Sequence, residues 1–189
     1  EDLESFTSDQ LHDVGKFMGD YHTMCKNFIW KKYRYQFYSL PDAKIDKFMK
    51  ISSDARLKYL DKLPEIVKEL KENRLNKKLP KGPIHVDIKP ENVLFYKGKL
   101  SGVLDFDNAF IGPLILDVAK SMVWFGTKNK KFDLKKVLPI YKGYVEKRPL
   151  HEEERKEFYK AIKFAFLSHV FVDYKMRATG ATTQEYFDF

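Results

Sequence analysis

The sequence predicts an α+β fold, mainly α-helical with one small β-hairpin, and three observations lead there. Apolar residues recur at helical spacing over most of the chain. Two short β-rich runs, 93–96 and 100–104, flank Lys97-Gly98-Lys99, a glycine-containing connection of hairpin length. A chain of 189 residues is also long enough for one substantial core, since domains near this size bury about 70% of their unfolded surface. Residues 1–189 are therefore expected to form a single lobe.

The first helix is expected over residues 7–26. Thr7-Ser8-Asp9-Gln10 is a capping-box pattern, in which Thr7 accepts from the third helical amide and Gln10 reaches back. Leu11, Val14, Phe17, Met18, Tyr21 and Cys25 form the apolar face, and His22 near it reads as a core histidine rather than a ligand. Residues 27–81 follow as a helical and aromatic segment. Over 28–38 aromatic and basic residues interleave, and over 54–75 Leu57, Leu60, Leu63, Ile66, Val67 and Leu70 keep helical spacing. Pro64 is expected to break or kink that helix, and 71–81 reads as a solvated, charged connector. Residues 83–107 hold a loop and the hairpin. Residues 113–189 read as a helical bundle, with helices over 114–125 and 133–145 joined by a polar link at 127–131. Glu152, Glu153 and Glu154 suit the first turn of a last helix, where the dipole favours negative charge. Phe158, Ile162 and Phe166 carry that helix into the core. His169, Asp173 and Arg177, four residues apart, could present a polar stripe to a ligand; a helix edge with an Asp173–Arg177 salt bridge is the simpler account.

Composition narrows the function classes. The net charge is +8, and six of the 35 basic residues are arginine, leaving 29 lysines. Recognition of phosphates and bases favours arginine's bidentate fork, so the charge does not predict a nucleic-acid partner. Cys25 is the one cysteine, which rules out an internal disulfide, and no apolar run approaches the roughly 18 residues of a membrane span. A soluble, cytoplasmic protein without a membrane partner is expected. No cysteine and histidine cluster has zinc-like spacing.

The chemistry concentrates in one stretch. His85, Asp87 and Asn92 fall on H-x-D-x-x-x-x-N, the pattern of kinase catalytic loops, and Asp105 follows thirteen residues after Asn92 at the end of an apolar run. Phosphoryl transfer from ATP needs a carboxylate beside the attacking oxygen and oxygen ligands for Mg²⁺. The hairpin is expected to return Asp105 beside Asn92. One carboxylate plus one amide suits Mg²⁺ held partly by phosphate and water.

The block from His85 to Asp117 resembles the C-terminal lobe of the aminoglycoside phosphotransferase and choline kinase superfamily, which has a protein-kinase-like fold. Leu100-Ser-Gly-Val-Leu-Asp-Phe, Leu116-Asp-Val-Ala and the run from Gly143 to Arg155 are similar to its homoserine kinase type. The resemblance implies an ATP- and Mg²⁺-dependent kinase of a small-molecule hydroxyl, homoserine-like or aminoglycoside-like. Asp87 would be the catalytic base and Asn92 and Asp105 the nucleotide-side metal ligands. His85 and Asp117 would brace the loop. Lys89 follows the protein-kinase pattern and would face the transferring phosphate. Asp107 stands where protein kinases have glycine, either as a second metal-side carboxylate or as a loop-structuring residue. For 28–38 three readings stay open: packing under the lobe, an acceptor wall containing Trp30 and Arg34, or base stacking with a single strand. No glycine-rich phosphate loop or strand lysine precedes Asp87, so the N-lobe is expected outside this chain as its partner; the start at Glu1 fits a cut between lobes. A protein serine/threonine kinase and a non-catalytic nucleotide-binding or scaffold module are the alternatives.

Overall fold

The computed structural model describes residues 6–28, 40–55, 57, 59–128 and 131–183. Helix α1 (Ser8–Met24) opens on the expected capping box: Gln10 N donates to Thr7 Oγ1 at 3.2 Å and Thr7 N donates to Gln10 Oε1 at 2.8 Å. Its buried face is Leu11, Val14, Met18 and His22, with Gly15 and Gly19 among them. Phe17 and Tyr21 lie at its margin, half-buried and stacked on one another.

Helix α2 (Asp42–Asp54) places Ile45, Phe48 and Ser52 in the core; it lies within the span read as helical and aromatic, where the sequence marked no helix bounds. Helix α3 (Leu63–Glu72) corrects the expectation for Pro64. The proline lies in the first turn, where no intrahelical bond needs its N–H, so it starts the helix instead of breaking it.

Strand β1 (Lys81–Ile84) leads into the candidate loop. Strands β2 (Val93–Tyr96) and β3 (Lys99–Val103) form the expected hairpin, turning through Lys97 at φ 48° and Gly98 at φ 74°. Strand β4 (Phe110–Pro113) pairs antiparallel with β1, Ile84 opposite Phe110. The sequence alone predicts no strand at Phe110–Pro113. That pairing fixes both ends of the segment between residues 84 and 110.

Helix α4 (Leu114–Gly126) follows directly and is buried on nearly every side. The link after it carries a two-residue pairing, β5 (Thr127–Lys128) with β6 (Lys131–Phe132). Helix α5 (Leu134–Lys147) is capped by Asp133, which accepts from Lys135 N and Lys136 N. Helix α6 (Glu152–Ala178) packs against α2, α3 and α4. No described helix is long and apolar enough to cross a membrane.

The contact between α1 and α5 is the most extensive between helices, and glycine makes it possible. A Cβ on Gly15 would fall inside van der Waals contact of the Ile140 carbonyl, and one on Gly143 would do the same to the His12 carbonyl. The two backbones therefore touch at reciprocal positions. Gly143→Ala is expected to lower unfolding free energy by about 1–3 kcal/mol, the usual cost of overpacking. A urea melt checks this, and an unchanged midpoint would show that the helices can separate freely.

Candidate active site

Asp117 organises the loop. It sits in the first turn of α4 with no exposed surface. Its Oδ2 accepts from His85 N at 2.9 Å and its Oδ1 from Val86 N at 2.6 Å. To aim two successive amides at one carboxylate, the chain passes through Val86 at φ 61°. For a β-branched residue this left-handed conformation is a genuine outlier, costing about 1–3 kcal/mol. Ile84, Val86 and Ile88 are all fully buried, so the strained turn is clamped by apolar packing on both sides.

A buried polar relay holds Asp117 from the other side. Glu154 takes both of its oxygens to Arg148 Nη2 at 3.1 Å, and Arg148 Nη1 donates to the Tyr144 hydroxyl at 2.9 Å. The hydroxyl lies 2.9 Å from His22 Nδ1, and His22 Nε2 lies 3.1 Å from Asp117 Oδ2. An ionised carboxylate can only accept, so Nε2 carries the proton. The Tyr144 hydroxyl, already accepting from Arg148, can give its own proton to Nδ1. Burial alone would raise the Asp117 carboxyl. The His22 hydrogen bond, the electrostatic pull of the neighbouring His22 and His85 rings and the His85 amide outweigh it and hold the group below the ordinary carboxylate range. Burial also pushes the Tyr144 hydroxyl up, so it stays protonated.

The sequence-selected residues gather around this brace. Asp87 and Asn92 are buried. Asn92 Nδ2 donates to the Asp87 carbonyl at 2.8 Å and lies 3.4 Å from Asp87 Oδ2, so these contacts engage the amide nitrogen and not Oδ1. His85 Nδ1 accepts from Asp87 N at 3.3 Å, while Nε2 lies 2.9 Å from the Leu104 carbonyl, a pairing that only an Nε2–H tautomer satisfies. Leu104 N donates to the Asn92 carbonyl at 2.9 Å. Leu104 is thus tied to both arms of the loop, and Asp105 is the next residue. Asp105 is solvent-exposed with φ 64°, and its carboxylate accepts from Asp107 N at 3.4 Å. Phe106 covers the His85 ring with centroids 4.4 Å apart.

Lys89 extends the site toward the helices. Its Nζ lies 3.4 Å from Asp87 Oδ2 and 5.3 Å from the Trp124 ring centroid. Trp124 meets His169 edge-on at 4.3 Å, and His169 Nε2 lies 3.4 Å from Asp173 Oδ2. Asp173 therefore meets His169, one turn earlier on α6, in place of the expected bridge to Arg177. Burial, with Lys120 and Lys89 nearby, pushes His169 down to about 3, so this contact is that of a neutral imidazole. Sequence reasoning missed Lys120 and Trp124. The available signal was a lone lysine inside the apolar run of α4, one turn after Asp117. Trp30 and Arg34 lie outside the described residues.

Among the described residues no three His, Cys, Asp or Glu side chains converge as a metal cage. Asn92 Oδ1 and the Asp105 carboxylate are hard oxygen donors on segments joined through Leu104. Such a sparse set fits Mg²⁺ that arrives with phosphate oxygens. The pairing of a clamped H-x-D-x-x-x-x-N loop with an aspartate-bearing hairpin marks a kinase-like class of phosphotransferase.

The chain belongs to the phosphotransferase enzyme family APH, whose model matches residues 4–137. Within it the chain is similar to homoserine kinases. It is 31% identical over 149 residues to the homoserine kinase of Chelativorans sp. (strain BNC1), a match covering 75% of this chain and 44% of that protein. It is 41% identical over 78 residues to the homoserine kinase of Mesorhizobium japonicum (strain LMG 29417 / CECT 9101 / MAFF 303099), over 41% of this chain and 24% of that protein. The chain thus spans less than half the length of these relatives. An amicoumacin kinase in complex with AMP-PNP, Ca²⁺ and Ami shares the fold at TM-score 0.63 and 15% identity, over 95% of this chain and 54% of that one. An aminoglycoside-3'-phosphotransferase of type VIII does so at TM-score 0.55 and 15% identity, over 92% and 64%.

Because folding lowers the Asp117 pKa, its stabilisation is fully present above the ordinary carboxyl value of 3.8 and is lost as pH falls toward the folded value. Asp117→Asn at pH 7 is expected to cost about 3–5 kcal/mol, as breaking a buried charged network does. The gap between variant and wild type should narrow below that pH. Chemical denaturation at pH 7 and pH 3 checks this; a gap independent of pH would mean that the carboxylate charge contributes nothing.

Proposed function

We propose that this chain carries the catalytic centre of an ATP-dependent phosphotransferase that moves the γ-phosphoryl group to the hydroxyl of a small molecule, with a homoserine-like acceptor favoured. The observation that supports this most is the double tie of Leu104, the residue before Asp105, to His85 and Asn92. The names of the curated relatives favour homoserine among possible acceptors.

In this reading Asp87 orients the acceptor hydroxyl and takes its proton as the new P–O bond forms. Its carboxylate suits that task because the loop carbonyl and not the carboxylate takes the shorter bond from Asn92. Lys89, held over Trp124, neutralises charge on the transferring group. Asn92 and Asp105 would hold Mg²⁺, which supplies charge neutralisation of the phosphates. Asp107 supports Asp105 through its amide. His85 and Asp117 touch no reacting atom and act as positioning residues. A phosphate-covering lobe outside this chain would complete the nucleotide site.

In the full-length protein, Asp87→Asn is expected to retain Mg-ATP affinity and lower single-turnover phosphorylation by roughly 10²- to 10⁴-fold, the usual worth of general acid–base catalysis. Asp105→Ala should instead weaken Mg²⁺-dependent nucleotide binding, read by calorimetry with and without the metal. An Asp87→Asn variant within about threefold of wild type would rule out the base assignment.

A further inference from the structure

Helix α4 is buried at twelve of its thirteen positions, and the exception is Trp124. The bulkiest side chain of the helix is thus the one at its open edge. Two groups meet its ring. The Lys89 ammonium, from the catalytic loop, stands 5.3 Å from the ring centroid, inside the range of about 6 Å over which a cation is drawn to the negative face of an indole. His169, from α6, packs on the same side chain with ring centroids 4.3 Å apart and planes at 72°. The three residues come from three separate segments, so the cluster is made by the tertiary fold and not by local spacing.

Lys89 Nζ also lies 3.4 Å from Asp87 Oδ2, and the Lys89 side chain is 26% exposed. A part-exposed ion pair contributes little by itself against the freedom of a lysine's flexible four-carbon stem. The indole adds a second hold on the same ammonium and brings no counter-charge, so the positive charge stays available to an arriving anion. His169 could compete for the ring only as a cation. Burial, with Lys120 and Lys89 nearby, pushes it down to about 3, so it stays neutral and leaves the ring to Lys89.

We infer that Trp124 is a positioning residue that holds the Lys89 ammonium beside Asp87, preset for the transferring phosphoryl group before nucleotide binds. This rests on the proposed phosphotransferase reading and adds to it the residue that keeps Lys89 at the catalytic loop. Trp124 touches no reacting atom and acts through Lys89 alone.

Two readouts on the full-length protein test it. Without nucleotide, the NMR signal of the Lys89 ε-methylene, assigned with Lys89→Arg, should be displaced upfield by the indole ring current. Trp124→Leu should return it to the position of a solvated lysine, and Trp124→Phe should retain part of the displacement. In single-turnover transfer from Mg-ATP to homoserine, Trp124→Leu should lower the rate by about 2- to 30-fold, the span of a cation–π contact. In a Lys89→Met background the same substitution should cost less than about twofold more, because residues that act through one contact are not additive. Equal losses in the two backgrounds would mean that Trp124 only packs between helices, which overturns the inference and leaves the proposed function in place. A wild-type Lys89 signal at the solvated position overturns it too, and decides the matter even where Trp124→Leu does not fold. Absence of transfer to homoserine or any other small hydroxyl acceptor overturns both.

Discussion

One fully buried carboxylate sets the geometry of the site. Asp117 accepts two successive amides from the loop, and nothing in an unstrained extended strand would point both at the same group. The left-handed Val86 follows from that demand. A strained residue persists only where its surroundings over-determine it, and here they do so twice, through Asp117 below and the buried isoleucines on either side. The displaced chain then projects Asp87 from a rigid base instead of a mobile loop.

The relay behind Asp117 explains why distant elements matter to the loop. Glu154 belongs to α6, Arg148 follows α5, Tyr144 is in α5 and His22 in α1, yet each satisfies the next. An unpaired member would carry the full desolvation cost of a buried polar group, so the helices and the loop are coupled through one network. The glycine-mediated approach of α1 and α5 brings His22 and Tyr144 into range. Helix packing, network and loop conformation are successive consequences of the same arrangement.

Much of this was legible in the chain. The capping box at Thr7 and Gln10, the β2–β3 hairpin and the grouping of His85, Asp87, Asn92 and Asp105 are local patterns, and local patterns survive without tertiary information. His22 was readable as a core residue, though its partners were not. What stayed hidden depended on long-range pairing. The β1–β4 ladder joins residues some thirty positions apart, and its short strands are too brief to show alternation. Pro64 reads identically as a helix breaker or a helix starter until the start of α3 is known. The 169–173–177 stripe was visible, but not which of its members meet, nor that Trp124 from α4 packs on His169, which no spacing on α6 reveals.

The central claim is that Asp117 holds the loop in its strained form as a fixed part of the native state. Amide hydrogen exchange of Val86, followed residue by residue by NMR, tests it most directly. Val86 N donates to a carboxylate with no exposed surface, so its exchange should require opening on the scale of global unfolding, with His85 protected to the same degree. Exchange of these amides at the rate of an open loop, while the core amides of α4 remain protected, would contradict the account.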